Sequence, residues 1–193
     1  MVRDDGGQPT YTLNYDGLEV IKPSKLGLKA DYGDFTQGMK IVETTEKAVQ
    51  TAYDMTRTKR AHVDQKATML TLKLVNDKGY PLQITFYIAN NDVAYRYTLL
   101  PVKDENPRCA VVYGETSSFN FPDETRTFMT PQIQPMSGWQ RTKPSYEEEF
   151  SPDARLTDKS KYGVGYTFPC LFRIPNKGNN TWILISETGT SSY

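Results

Sequence analysis

Apolar and polar residues alternate along several short segments of the chain, with the period of two that is typical of β-strands. Leucines occupy every second position of 70–74, and the same alternation continues over 82–88. Turn-forming residues at 76–79 separate these two segments, and Asn90-Asn91-Asp92 separates the second from Val93–Leu99. This pattern predicts a meander of at least three antiparallel strands.

A second set of alternating positions lies at the two ends of the chain. Tyr11, Leu13 and Tyr15 share one face of a predicted strand near the beginning. Towards the end, 168–174 alternates, 177–180 has turn composition, and the apolar run 182–185 follows, which predicts another hairpin. The sequence therefore predicts an all-β fold, an antiparallel β-sandwich that occupies residues 1–193 as a single domain.

Two stretches fit this pattern less simply. Thr45–Met55 has Ala48, Ala52 and Met55 at helical spacing, but the same stretch fits a strand, and both alternatives stay open. Between Pro101 and Lys161 seven prolines interrupt the alternation. We expect long connections over the scaffold there, and such loops often carry function.

Composition narrows the class of partner. The chain has 23 basic and 23 acidic residues, which are interspersed, so we do not expect a nucleic-acid partner. No stretch approaches the ~20 apolar residues needed to span a bilayer. The opening residues lack the apolar segment of a signal peptide, so the sequence as it stands is expected to be soluble and untargeted.

Standard catalytic motifs are absent from the sequence. There is no Gly-rich phosphate loop, Gly-x-Ser-x-Gly elbow, His-Glu-x-x-His or Cys-x-x-Cys. The single histidine, His62, cannot form a multi-histidine metal site and is interpreted as a structural residue. Cys109 and Cys170 are too few for a disulfide framework, and whether they pair stays open.

One dense acidic cluster, Glu147-Glu148-Glu149, lies between Tyr146 and Phe150. It is either a solvated acidic loop or a carboxylate site for calcium, which takes oxygen ligands, or for a sugar hydroxyl. If the segment is extended, only Glu147 and Glu149 share a side, so the segment alone leaves a calcium site incomplete.

Aromatic residues offer a second candidate site. Trp139, Tyr146, Tyr162 and Tyr166 could form a platform for the apolar face of a sugar ring. The alternative is that they pack in the core or among the loops.

Four segments together resemble the N-terminal domain of glycoside hydrolase family 97. These are 7–15 with 20–28, 91–97, Pro144-Ser145-Tyr146-Glu147, and Ile185-Ser186-Glu187-Thr188. The sequence departs from the family pattern at three of these positions, with Val93 in place of a glycine, Tyr95 in place of a phenylalanine and Thr188 in place of an alanine. Order and spacing agree across nearly the whole chain.

The resemblance implies a super-sandwich of the galactose-mutarotase type, packed on a catalytic (β/α)8 barrel that this chain lacks. It implies an α-glucosidase or α-galactosidase as the parent protein, an α-linked oligosaccharide as substrate, and a periplasmic or secreted location. It further implies that the chain starts within the family's first strand, ends before the last ones, and is inactive by itself.

The resemblance also assigns roles to individual residues. Glu147 would ligate calcium, Tyr146 would contact substrate, and Glu148 and Glu149 would be solvated. Glu187 would either lie near the same site or have a structural role at the end of a strand. No catalytic residue is expected in this chain. The alternative is a free-standing β-sandwich that binds carbohydrate or a protein through its long loops.

Overall fold

The computed structural model describes residues 1–59, 61–102, 110–132, 150–176 and 178–188. Over these residues the secondary structure is a short 3-10 turn at Asp5–Gly7 and a series of strands, with every pairing between strands antiparallel where the register is given. The strands are β1 Val2–Arg3, β2 Thr10–Tyr15, β3 Leu18–Lys25, β4 Leu28–Ala30, β5 Gly33–Asp34, β6 Lys40–Asp54, β7 His62–Val75, β8 Pro81–Ile88, β9 Val93–Leu99, β10 Val112–Glu115, β11 Arg126–Pro131, β12 Ser151–Arg155, β13 Tyr166–Asn176 and β14 Asn179–Ile185. None of the described helices has the length and apolar character needed to cross a membrane.

The chain forms two compact units. The first comprises Met1–Tyr11 with Pro23–Ser118, and the second comprises Thr12–Lys22 with Phe119–Tyr193. The first contains the sheets β6-β7-β8-β9 and β10-β4-β5, and the second contains β12-β11-β13-β14. Strands β1, β2 and β3 form a further small sheet.

The predicted meander is present in the first unit. Leu70 pairs with Phe86 and Leu74 with Leu82 across β7 and β8, and β9 follows β8 in register. Leu72, Leu74, Leu82, Ile84 and Phe86 are buried. Because these side chains come from one face of the alternating pattern, that face forms the core of the sheet.

The helical alternative for Thr45–Met55 is wrong. Strand β6 runs through this stretch to Asp54 and pairs with β7 from Lys40 opposite Val75 to Asp54 opposite His62. Threonine and valine are frequent in β6, and they favour a pleated backbone. The long ladder of pairs between β6 and β7 therefore determines the structure of this stretch, and the helical spacing of the alanines does not.

The predicted C-terminal hairpin is also present, as β13 and β14 in the second unit. Cys170 pairs with Ile185 and Phe172 with Ile183. The side chains of Phe172 and Ile174 are buried, and Phe121 stacks on Phe172 with ring centroids 4.2 Å apart. One face of this sheet thus carries the core of the second unit.

The proline-rich stretch between Pro101 and Lys161 contains more regular structure than we expected. Strands β10, β11 and β12 all lie within it. Its prolines fall at strand ends or outside strands in several cases, such as Pro131 at the end of β11 and Pro152 on the edge strand β12. Edge and end positions tolerate proline because no ladder hydrogen bond is lost there.

Candidate functional site

Of the predicted site residues Tyr146, Glu147 and Glu187, the structure describes Glu187. Tyr146 and Glu147 lie outside the described residues, in the connection between β11 and β12. The described flanks of that connection are Gln132, just after β11, and Phe150, just before β12. The pairing of Met129 with Ser151 places both flanks at the same end of the sheet.

Glu187 lies at this same end. Strand β14 finishes at Ile185, which pairs with Cys170 near the start of β13. The start of β13 in turn pairs with the end of β11, with Tyr166 opposite Pro131. The chain therefore leaves β14 towards Glu187 at the end of the sheet where β11 stops and β12 begins.

The surroundings of Glu187 leave its carboxylate available. The residue is exposed, and its backbone carbonyl accepts the hydroxyl of Ser186 at 3.5 Å. Within the part of the chain that the structure describes, no group of three or more acidic, histidine or cysteine side chains could hold a metal ion. An exposed carboxylate fits the oxygen chemistry that calcium requires, but one such residue supplies a small part of a shell of six to eight oxygens.

Of the aromatic residues proposed as a sugar platform, two are described. Tyr162 is exposed, with the Lys161 ammonium 5.2 Å from its ring centroid. Tyr166 is half-buried at the start of β13, where partial burial and then the charge of Asp158 raise its pKa. Trp139 lies outside the described residues, as does Tyr146, so the platform stays a prediction.

Within the described residues neither Cys170 nor His62 belongs to a cluster that could hold a metal ion. Cys170 is a free, buried thiol whose pKa is raised by burial, and its Sγ donates to the carbonyl of Thr167 at 3.3 Å. Cys109 lies outside the described residues. His62 is exposed at the start of β7 and its Nδ1 lies 2.8 Å from the Asp54 carboxylate.

A cluster of tyrosines in the first unit, of which Tyr11 is buried and Tyr95 and Tyr97 are half-buried, was missed at the level of sequence. The ring of Tyr95 contacts the rings of Tyr11 and Tyr97. The pKa values of all three tyrosines are raised, chiefly by desolvation. Their hydroxyls stay protonated over the physiological range and act in hydrogen bonding. The hydroxyl of Tyr11 donates to the Ser118 carbonyl at 3.0 Å. The alternation of Tyr95 and Tyr97 was the available signal, and it indicates a core role.

Together these features define an all-β, antiparallel domain whose described residues form no complete catalytic or metal site. A family model described as Glycosyl-hydrolase 97 N-terminal matches residues 1–193. The chain belongs to this family of N-terminal domains of glycoside hydrolases. The family resemblance and the antiparallel β-sandwich inferred from the sequence are thereby confirmed.

The relatives are glycosidases, all much longer than this chain. The crystal structure of a beta-arabinopyranosidase is 42% identical with a TM-score of 0.90, covering 98% of this chain and 30% of that one. A Glycoside Hydrolase Family 97 enzyme from Pseudoalteromonas sp. strain K8, in complex with panose, is 18% identical with a TM-score of 0.73, covering 90% and 25%. A probable retaining alpha-galactosidase from Streptomyces bingchenggensis (strain BCW-1) is 24% identical over 123 residues, which are 64% of this chain and 18% of that protein.

Proposed function

We propose that this chain is the site-completing domain of a calcium-dependent glycosidase. It packs on a catalytic (β/α)8 barrel of the same polypeptide, and Glu147 contributes one carboxylate to a calcium ion at the carbohydrate-hydrolysing site. The main support is the family match over residues 1–193, because it includes the segment of Glu147. The hydrolytic acids belong to the barrel, so the domain by itself is inactive.

The described sheet is compatible with a shared site for Glu147 and Glu187. Glu147 precedes Ser151 by four residues, which limits the distance between their Cα atoms to about 14 Å. Three strand spacings separate β12 from β14, which is also about 14 Å. Both carboxylates can therefore approach one ion at the end of the sheet.

In the proposed site the protein residues hold and orient the ion. Glu147 supplies a carboxylate oxygen, Glu187 lies nearby, and Tyr146 contacts the sugar. A bound calcium ion would orient the substrate and support the charge that develops at the glycosidic oxygen. The barrel and the substrate would supply the remaining oxygens of the shell.

We propose a substrate with the galactose configuration. The most similar of the reported structures is that of a beta-arabinopyranosidase, and the curated relative is a probable alpha-galactosidase. β-L-Arabinopyranose matches α-D-galactopyranose at every shared ring carbon and lacks only its hydroxymethyl group. One pocket can therefore accept both sugars, whereas an α-glucoside, with its inverted C4 hydroxyl, would leave polar groups of such a pocket unpaired.

Three aryl glycosides test this substrate class in the complete protein: the α-galactoside, the β-L-arabinopyranoside and the α-glucoside. We expect kcat/KM for the first two to exceed that for the α-glucoside by at least about a hundredfold. A preference for the α-glucoside would refute the galactose configuration. A location outside the cytoplasm is part of the proposal, and fractionation of the producing cells tests it.

The calcium role is tested by Glu147→Gln in the complete protein. This change keeps the shape of the side chain and removes its charge, so we expect weaker calcium binding by calorimetry and lower activity. Glu148→Gln is the matched control, since its side chain is expected to be solvated. Unchanged calcium affinity and activity in Glu147→Gln would refute the role, and a reading frame that ends at Tyr193 would favour the free-standing binding module.

A further inference from the structure

The sheet β12-β11-β13-β14 has a second face, opposite the one that carries Phe172 and Ile174. On β14 this face presents Trp182 and Leu184, which are 51% and 64% exposed. Leu184 pairs with Leu171, and Leu171 pairs with Phe128, which gives an apolar row across three strands. We call this surface the Arg-Trp face; it comprises Arg126, Phe128, Arg155, Leu171, Arg173, Trp182 and Leu184.

A row of arginines crosses the Arg-Trp face beside the apolar row. Arg126 lies directly opposite Arg155 on β12 and directly opposite Arg173 on β13. Like charges at opposite positions of a sheet repel and destabilise it. Of the three, Arg173 has a described ion pair, with Asp153, whereas the side chains of Arg126 and Arg155 have none within the described residues.

Arg173 also connects the two rows. Its guanidinium carbon lies 5.8 Å from the ring centroid of Phe128 and 6.0 Å from that of Trp182. These two rings are themselves 5.4 Å apart. Within the described residues the buried Nε of Arg173 makes no hydrogen bond. The face is therefore an ordered aromatic and cationic surface on which the Nε of Arg173 has no acceptor within the described residues.

We propose that the Arg-Trp face is the surface on which the catalytic domain of the same polypeptide packs, and that the facing surface of that domain carries carboxylates opposite the arginine row. This inference rests on the proposed function, which requires such a domain. Tryptophan and arginine are the residues most enriched among those that carry binding energy, and exposed leucine adds apolar area. Facing carboxylates would offset the repulsion between Arg126, Arg155 and Arg173.

Two observations favour this occupant over a soluble partner. The beta-arabinopyranosidase matches 98% of this chain with 30% of its own length, so more than twice this chain's length accompanies the same domain in that protein. Leu184 also precedes Glu187 by three residues, at the end of the sheet where the site is proposed. A domain that covers Leu184 would therefore also lie near Glu187.

Hydroxyl-radical footprinting of the complete protein tests the inference without any mutation. Each side chain's oxidation rate in the native protein is compared with its rate in the urea-unfolded protein. We expect the protection of Trp182 to exceed that of Tyr53, which is 45% exposed on β6, by about fivefold or more. Equal protection of the two residues would overturn the proposal.

A charge in the apolar row gives a second readout. Leu184→Asp should expose Trp182 to oxidation and separate one calorimetric unfolding transition into two, whereas the control Val42→Asp, at a 50% exposed apolar residue of β6, should do neither. If Leu184→Asp does not fold, the footprint of the unmodified protein still shows whether the Arg-Trp face is covered.

Other outcomes of these experiments also test the proposal. Protection of Trp182 that requires added polysaccharide, or that falls on dilution as a dimer dissociates, would overturn the proposal, as would a reading frame that ends at Tyr193. Failure of the calcium test with Trp182 protected would refute the role of Glu147 and leave the docking face intact.

Discussion

The backbone N–H of Gly27 donates a hydrogen bond of 2.9 Å to the hydroxyl of Tyr97. That hydroxyl also shares a hydrogen bond of 2.6 Å with Ser117 Oγ, and the carbonyl of Gly27 accepts the N–H of Thr116 at 2.9 Å. The half-buried phenol of Tyr97 and the backbone of Gly27 thus hold the segment that follows β10 against the start of β4. These hydrogen bonds position the last part of the first unit.

Tyr97→Phe should destabilise the protein, because Gly27 N–H and Ser117 lose a hydrogen-bond partner in a partly buried place. We expect a loss of about 1–3 kcal/mol in the free energy of unfolding measured in urea, together with faster hydrogen exchange at the Gly27 amide. Tyr113→Phe is the control, since Tyr113 is 72% exposed. Equal stabilities of the two variants would contradict a stabilising role for the hydrogen bonds of Tyr97.

Gly27→Ala should be more harmful than an alanine at another positive-φ glycine. A Cβ on Gly27 would lie 2.6 Å from the Phe35 carbonyl oxygen and 2.9 Å from Thr36 Cα, so backbone has to move. Gly17 also has a positive φ, but nothing lies within 4 Å of its Cβ position. We expect Gly17→Ala to cost about 1 kcal/mol from backbone strain and Gly27→Ala clearly more. Similar unfolding midpoints in urea would refute the close approach.

The first unit should lose stability in acid through Asp34. Burial alone would raise the pKa of this carboxyl, but the hydroxyl and N–H of Thr36, at 2.6 and 2.9 Å, and the Lys29 ammonium outweigh it, so the pKa is lowered. A carboxyl with a lower pKa in the folded state stabilises the fold above its unfolded value of about 3.9, and this contribution is lost as pH falls through the folded pKa. Urea midpoints at pH 6 and pH 3 should therefore differ less in Asp34→Asn than in the unmodified protein.

Asp123 provides a comparison for this pH effect. A hydrogen bond from Lys22 and the charge of that ammonium lower the pKa of Asp123, but the pair is exposed. About 0.5 M salt should screen the contribution of Asp123, whose hydrogen bond comes from an ammonium at the surface. It should leave most of the contribution of Asp34, because the neutral hydroxyl and N–H of Thr36 donate to Asp34. If salt removes both contributions equally, the hydrogen-bond explanation is wrong.

The sequence predicts the hairpins because their signal is local. Leu72 and Leu74 alternate with polar residues, and Asn76 accepts the N–H groups of Lys78 and Tyr80 in the turn that the composition indicates. Register then follows from the turn and from the buried face. Strand β6 shows the limit of local prediction. The spacing of Ala48 and Ala52 fits a helix, and only the pairing of this stretch with β7 makes it a strand.

The candidate site, unlike the hairpins, is predicted from the family resemblance and not from a local pattern. Glu147 and Glu187 carry no local signature of a metal site, and only the family resemblance selects them. The structure adds that Glu187 and the flanks of the Glu147 segment occupy one end of a sheet, a relationship set by the pairing of β11 with β13 and of β13 with β14. Such non-local pairing is not encoded in the spacing of the two acids along the chain.

The stacked rings of Phe121 and Phe172 should be coupled energetically. Their centroids are 4.2 Å apart with 23° between planes, and both side chains are buried. We expect a double-mutant cycle of Phe121→Leu and Phe172→Leu to give a coupling of about 0.5–1.5 kcal/mol. Additive losses in the free energy of unfolding would indicate that the rings contribute by area alone.

Glu187→Gln should weaken calcium binding by the complete protein if Glu187 lies at the same ion as Glu147. The Glu187 carboxylate is exposed at the end of the sheet where the described flanks of the Glu147 segment also lie. The loss of one negative charge near a divalent ion lowers affinity by about tenfold. Glu43→Gln, at an exposed acid of β6, is the control and should leave the affinity unchanged. Calorimetric titration of the chelated protein measures both. If Glu187→Gln binds calcium as tightly as Glu43→Gln, Glu187 is a strand-end residue without a role at the ion, and the proposed site depends on Glu147 alone within this chain.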